Sequence, residues 1–385
     1  MHRPRVLLVS PRRYEKAIWR CGQVEFEDLI RGVDDVDLVE PEAVVRGEGL
    51  FARQARRVAR LAHVELSFKP RVKPISLARE YELFAFHASQ PGDLAMLDVI
   101  PDWRKRCAKT VCFVDEFWIE DLQSAQWIEK LAAFDHVAVM FYNTVEPLQK
   151  AIGVPCTWVP AAVDTLRFFP GLVPPARGID VYAMGRRSDE SHRVLLSHAS
   201  ANNWTYLFDT IDPVRVRDEL SDHRQQLAEL IKRTRYFIAN KAKVDSPAHR
   251  GKQEEIGFRS FEGAAGGAVL VGHTPQARSL ELLFDWPDSH IHVPFGSTEI
   301  VDVIRELDKD PARVQRIRRN NVVNSLLRHD WAYRWQTVLG QLDLPATPRL
   351  LARIEKLQEL ARSVDHEGWP GSVTAETRFA SRNVG

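Results

Sequence analysis

The chain begins with a short unbroken apolar run, Val6-Leu7-Leu8-Val9, between Arg5 and Ser10-Pro11. A run of that length without alternation predicts a strand buried on both faces, as in parallel sheets. Runs of the same kind recur at Val36 to Val39, Glu82 to Ala88, Thr110 to Val114, Val137 to Tyr142 and Cys156 to Val159. Between them Val24 to Ile30 has helical spacing. Phe51 to Ala62 carries apolar residues at 51, 55, 58, 59 and 62, a stripe of helical period. Helical segments are also expected near 91–108 and 119–133. Alternating strand and helix predicts a mostly parallel sheet with helices on both faces.

The pattern pauses at Pro160 to Pro175, where Asp164, Phe168, Phe169, Pro170, Gly171 and the Pro174-Pro175 pair mark a connector. It then restarts. Strands are expected at Ile179 to Met184, Tyr236 to Ala239, Ala268 to Gly272 and Ile291 to Val293. Helices are expected at His192 to Ala201, Leu220 to Thr234, from Ser260 to Gly266, Thr298 to Leu307 and Pro311 to Leu327, with Ser279 to Phe284 a helix or loop. Beyond Asp330 the chain is helical and aromatic (Trp331, Tyr333, Trp335), Leu350 to Ala361 is a further helix, and a polar tail starts at His366. The expected division is an N-terminal Rossmann-like domain over 1–165, a second over 166–330, helices over 331–365 and a loose tail over 366–385. Two such units joined by a connector suggest a ligand in the cleft between them.

Composition narrows the class. With 44% hydrophobic and 27% charged residues in 385, the chain reads as an ordinary globular protein. Lys plus Arg is 53 against Asp plus Glu 52, a balance that argues against a nucleic-acid backbone as partner. The longest apolar run is far below the roughly 20 residues of a membrane span. Cys21, Cys107, Cys112 and Cys156 form no Cys-x-x-Cys pair, which disfavours a zinc knuckle and suits a reducing cytoplasm.

In doubly wound sheets the loops at the carboxyl ends of strands line the cleft. That singles out His87 after Glu82 to Ala88, and Asp115-Glu116 after Thr110 to Val114. It also singles out Arg186, Arg187 and Arg193 after Ile179 to Met184, and Lys241 and Lys243 after Tyr236 to Ala239. The plainer alternatives are a backbone-bonded His87, an Asp115 that caps a helix before Phe117-Trp118, and solvated loop charges. Asp35-Val36-Asp37 resembles a metal-binding Asp-x-Asp but precedes a strand, at the wrong end of the sheet. His290 and His292 lack a third metal ligand nearby. Arg53, Arg56, Arg57 and Arg60 would suit a peripheral membrane contact, or simply a solvated helix face. Trp103, Trp118 and Trp127 could stack on an acceptor, though core packing is the default.

The stretch Glu254-Glu255-Ile256-Gly257-Phe258-Arg259-Ser260-Phe261-Glu262-Gly263-Ala264-Ala265-Gly266-Gly267-Ala268-Val269-Leu270 resembles the donor-binding motif of retaining GT-B glycosyltransferases, most of all the spore-maturation CgeB-type branch. Glu254 and Glu262 reproduce the Glu-x7-Glu spacing of the wider family. Gly153-Val154-Pro155 through Val163-Asp164 to Phe168-Phe169-Pro170 is similar to the family's interdomain segment. Asp180 to Gly185 is similar to the first strand of its C-terminal domain, and Asp310-Pro311 with Arg328-His329-Asp330-Trp331 to its closing helices.

The resemblance implies two facing Rossmann-like doubly wound domains with C-terminal helices crossing back to the first. It implies transfer of a sugar from a nucleotide-diphosphate sugar to an acceptor hydroxyl, with retention and with no metal or cofactor. Glu262 would open a helix and accept ribose hydroxyls, with Gly263 and its small neighbours letting the nucleotide approach backbone N–H groups. The alternative is a first-turn glutamate favoured by the helix dipole. Arg259 would contact phosphate or pair with Glu262. Glu254 would lie near the donor sugar, unless it and Glu255 are a solvated pair. Arg193 and Lys241 would clamp the pyrophosphate beside Gly185, although the sequence lacks the common Gly-Arg-x…Lys-Gly arrangement. His87 or Asp115 would touch the sugar from the acceptor side. A nucleotide-sugar epimerase and a catalytically silent subunit on the same fold are the rival readings.

Overall fold

The computed structural model describes residues 4–13, 17–41, 75–77, 79–209, 220–366 and 369–370. The helix expected over 51–62, with its four arginines, lies outside them.

Within the described residues the first lobe holds β1 (Val6–Val9), α1 (Cys21–Val33), β2 (Val36–Val39), β3 (Tyr81–Ala88), α2 (Trp103–Arg106), β4 (Cys107–Val114), α3 (Ala125–Leu131), β5 (His136–Val139), α4 (Tyr142–Ile152) and β6 (Cys156–Trp158). Its six strands are all parallel, in the order β2-β1-β3-β4-β5-β6. Alternate strand residues feed two cores. Leu7, Val9, Phe84, Phe86, Cys112 and Val114 face one side, while Val6, Leu8, Leu83, Ala85, Val111 and Phe113 face the other with α1. Apolar residues are needed on both faces, which is why these strands read as unbroken runs.

A short α5 (Thr165–Phe168) sits in the connector. The second lobe then runs β7 (Ile179–Ala183), α6 (Asp189–Asn202), β8 (Tyr206–Phe208), α7 (Leu220–Lys232), β9 (Thr234–Ile238), α8 (Pro247–Arg250), α9 (Phe258–Ala265), β10 (Val269–Gly272), α10 (Arg278–Leu283), β11 (Ile291–His292), α11 (Ile300–Asp308) and α12 (Pro311–Arg328). Its five strands are parallel in the order β11-β10-β9-β7-β8. Two helices close the described chain. α13 (Trp331–Gln341) returns to the first lobe, burying Trp331, Trp335 and Val338 against Phe26, Leu29 and Phe113. α14 (Pro348–Val364) places Leu350 and Ile354 in that same core and Leu357, Ala361 and Val364 against α12 of the second lobe.

Several expected elements are corrected. The segment near 91–108 is a 3₁₀ run over Pro91–Val99 followed by four-residue α2, and β4 begins at Cys107. The segment 119–133 is a 3₁₀ turn, Ile119–Gln123, followed by α3. The run from Val137 to Tyr142 ends as a strand at Val139, and Tyr142 already starts α4. β8, an edge strand of half-buried residues, carries no apolar run long enough to flag it. Asp35 and Asp37 sit at the amino end of the first sheet, bonded to Arg349 and to Tyr81.

Candidate active site

Each sheet reverses its strand order beside its first strand, between β1 and β3 in one lobe and between β7 and β9 in the other. Loops leaving the carboxyl ends diverge at such a point and open a crevice. The loop after β9 reaches across to the loops after β4 and β5, so the two crevices face each other. Lys243 pairs with Glu116 at 2.8 Å and lies 5.2 Å from the Trp118 ring centre. Gln253 accepts from the Ile119 N–H at 3.0 Å and donates to Thr144 Oγ1 at 3.0 Å. Asn143 Nδ2 donates to Glu255 Oε1 at 3.3 Å, and burial pushes the Glu255 carboxyl up to about 7.

On the second lobe, β7 ends at a glycine in the left-handed region, Gly185 with φ 90°, where the chain turns toward α6. A Cβ there would lie 3.9 Å from Arg259 Nε, so the Arg259 guanidinium sits against this turn. Arg259 is bonded to Glu262 Oε2, and Arg224 from α7 is bonded to Glu262 Oε1. Arg224 also donates from Nε to Glu25 Oε2 at 2.8 Å and from Nη2 to Glu25 Oε1 at 3.0 Å. Glu25 belongs to α1 of the first lobe and further accepts from Arg167, from Trp331 Nε1 and from the Asp164 N–H. A buried chain of alternating charge thus runs from α1 through Arg224 and Glu262 to Arg259 at the cleft. Burial disfavours charge on Glu262, but Arg259 and Arg224 outweigh it and hold the carboxyl below its ordinary range.

These facts revise the expected helix start and place the other site residues. Glu262 does not open its helix: α9 starts at Phe258 with Gly257 before it, so the carboxylate lies one turn inside. Gly263 is the point where α9 touches its own sheet, because a Cβ on it would meet Leu270 Cδ2 at 2.4 Å and Phe237 Cδ1 at 2.6 Å. Arg193 is exposed on α6, its Nε donating back to the Asp189 carbonyl at 3.2 Å. Lys241 and Glu254 are brought together, Nζ to Oε1 at 2.5 Å, while Glu254 Oε2 accepts from the Gln276 N–H at 2.8 Å. Burial opposes the charge on Glu254, yet Lys241 and the Gln276 N–H keep its carboxyl below the usual range.

On the first lobe, His87 and Asp115 come together, Nε2 to Oδ1 at 2.8 Å. The His87 side chain is 1% exposed and that of Asp115 13%, so the acid fronts the cleft and the imidazole stands behind it. Of the aromatic candidates, Trp103 stacks on Phe84 and Phe134 in the core. His290 is half-buried with Nε2 2.9 Å from Ser260 Oγ, and His292 Nδ1 lies 2.7 Å from Thr274 Oγ1.

A pocket of about 380 Å³ including its mouth opens at the carboxyl edge of the second sheet. Ala183, Arg187, Ser188, His192, Tyr206, Asn240, Gly272 and Phe295 are among the residues that line it. His192 Nδ1 lies 3.0 Å from the Tyr206 hydroxyl. His192, Tyr206, Asn240 and Phe295 carried no motif in the sequence; only their positions at strand and helix ends could have marked them.

Residues 176–340 match the family model described as "Glycosyl transferase-like", which covers less than half of the chain. A solved alpha-glucosyltransferase, in complex with UDP and a 13-mer DNA containing an HMU base, superposes with a TM-score of 0.52 at 12% identity, over 89% of this chain and 100% of that one. HepE of Anabaena, in complex with UDP-glucose, superposes with a TM-score of 0.51 at 11% identity, over the same shares. The chain has the GT-B fold. No curated protein matches it significantly in sequence. GT-B proteins set two Rossmann-like lobes edge to edge, and here that arrangement puts Asp115 and the Gly185–Arg259 corner on the two facing carboxyl edges.

Proposed function

We propose that this protein transfers a sugar from a nucleotide-diphosphate sugar to an acceptor hydroxyl in the cleft between its lobes. The observation that carries the reading is the Gly185–Arg259 corner: a cation against a tight turn at the switch point of the lobe whose sequence matches glycosyl transferases. A departing nucleoside diphosphate gains negative charge, and fixed cations and N–H dipoles there lower the barrier. Arg259 is the most exposed member of its charge chain, with 25% of its side chain open. It takes the pyrophosphate, and its departure frees Glu262 Oε2 for a ribose hydroxyl while Arg224 keeps Oε1. Lys241 and Arg187 add positive charge at the same edge, and the pocket beside them receives the nucleoside. Glu254, held by Lys241, faces the donor sugar from this edge, and Asp115 from the other lobe accepts a hydrogen bond from a sugar or acceptor hydroxyl.

The reading carries retention at the anomeric carbon, a donor site of the CgeB-type pattern and no resident metal. Arginine and lysine supply the cationic chemistry in this reading. The even charge balance suits an acceptor other than a nucleic-acid backbone. None of the described helices is long and apolar enough to cross a membrane.

The test is a panel of nucleotide sugars, assayed by thermal shift and by slow hydrolysis in the presence of a chelator. Binding and turnover of one donor, with the released sugar retaining its anomeric configuration by NMR, is the expected result. Binding without turnover of any donor would point to a silent subunit, and interconversion of sugars without release to an epimerase. Arg259→Gln should weaken UDP about tenfold or more, the worth of one charge-assisted hydrogen bond. Unchanged UDP affinity in that variant would remove Arg259 from the site.

A further inference from the structure

His87 does not meet only one acid. Its Nδ1 lies 3.7 Å from Glu27 Oε1, on the opposite edge of the ring from Asp115. Glu27 is a residue of α1 with no exposed side-chain surface, and nothing in its local sequence marks it. Its Oε1 accepts from Gln23 Nε2 at 3.0 Å and its Oε2 from Arg12 Nε at 2.7 Å. His87 Nδ1 is itself buried and has no hydrogen-bond partner among the described residues. Phe26 and Phe113 pack against the ring with centroids 5.7 and 5.6 Å away, which fixes its plane with one nitrogen toward each carboxylate. A buried ring that faces carboxylates on both edges is best satisfied with a proton on each nitrogen.

We propose that Glu27 is a positioning residue of the transfer site: it faces Nδ1 of His87 as Asp115 faces Nε2, holds the ring as an imidazolium, and so keeps Asp115 oriented as an acceptor at the cleft. The inference rests on the role given to Asp115 above. Burial opposes charge on His87, but Asp115 first and then Glu27 and Asp93 reverse it, and the ring ends above its ordinary 6.5. Burial pushes the Glu27 carboxyl up, against Arg12 and His87. The proton between them belongs on the ring, because both Glu27 oxygens already accept N–H bonds. Of the other charges at this end, Arg12 pairs with Glu27, and Arg20 is bonded to Asp93 through two contacts of 2.7 Å. A ring with a proton on each nitrogen donates to Asp115 at 2.8 Å and fixes the orientation in which that side chain meets a hydroxyl in the cleft.

The deciding experiment is a pH titration of the full chain with ¹⁵N-labelled histidine, with the His87 signals assigned from His87→Gln. Near pH 7, where a free imidazole is mostly neutral, the account expects both His87 nitrogens protonated in the wild type. Glu27→Gln should move the ring's transition to lower pH with the fold intact by circular dichroism. A purely structural Glu27 would lower the melting temperature and leave the titration where it was. A neutral wild-type ring with a single protonated nitrogen overturns the proposal, and so does an unmoved transition in folded Glu27→Gln. If that variant does not fold, the wild-type titration alone still decides. A protonated ring in a protein that turns over no nucleotide sugar would instead sink the transfer reading and leave this charge state standing.

Discussion

Replacing Arg224 by methionine tests the buried charge chain that joins the lobes. The side chain is 1% exposed, as are Glu25 and Glu262, so methionine fills similar space while removing every donor. Breaking a buried pair from one side costs about 3–5 kcal/mol, because it strands a charge without water. Here two carboxylates lose a partner, but neither is left bare. Glu25 keeps Arg167 at 3.3 Å, Trp331 Nε1 at 3.2 Å and the Asp164 N–H at 2.8 Å, and Glu262 keeps Arg259. The lower end, about 3 kcal/mol, is therefore expected, which at roughly 2–4 °C per kcal/mol lowers the melting temperature by about 6–12 °C. Differential scanning calorimetry of Arg224→Met measures it. Adding Glu25→Gln removes the charge of one of the two carboxylates that lost a partner and should recover part of the loss. UDP should protect Arg224→Met less than the wild type, because Glu262 then needs Arg259 as its one remaining counterion. A melting temperature within about 2 °C of wild type would refute the reasoning, and so would a double variant less stable than the single by the full Glu25→Gln effect.

Gly263→Ala should destabilise by about 1–2 kcal/mol, overpacking against Leu270 and Phe237 outweighing the better helix propensity. Gly340→Ala, where a Cβ meets nothing within 4 Å, should instead stabilise by about 0.5–1 kcal/mol. Chemical denaturation of both checks the contrast, and equal effects would contradict it. The Glu255 carboxyl, ordinarily at 4.5 and raised to about 7 by burial, binds its proton more tightly folded than unfolded. Its contribution is therefore full below 4.5 and is lost as pH rises to about 7. Glu255→Gln should flatten that slope in melting temperature, and an unchanged slope would count against the interlobe contact. His87, also raised, contributes stability below 6.5 that is lost as pH rises through its folded value, and Asp115→Asn should remove that contribution.

The architecture was legible because its signal is local. A strand such as Val36–Val39 is bounded by Asp35 and by Glu40-Pro41, and matches its expected limits residue for residue. The motif around Glu262 was legible as a string but not as a geometry. Gly257 carries no capping side chain, so nothing in the sequence said that the helix begins at Phe258 and that Glu262 lies inside it. The partners of that glutamate were out of reach for another reason: Arg224 and Glu25 meet across 199 residues, and no periodicity records such a pairing. The same holds for Glu27, which reads as one more charge on α1 until the sheet brings His87 beside it. His87 and Asp115 were found because strand ends are where doubly wound sheets put chemistry, but their order in depth depends on the turn after β4, which the sequence pattern did not show.

The most direct test of the account is hydrogen–deuterium exchange on the full chain with and without UDP. Slowed exchange should concentrate on the carboxyl-edge loops of the second lobe: residues 183–188 after β7, 238–241 after β9, 271–274 after β10 and 293–297 after β11. Weaker protection is expected in residues 115–120 of the facing lobe as the cleft tightens. Protection confined to other surfaces, or none at a UDP concentration that saturates binding, would contradict a nucleotide seated between the lobes.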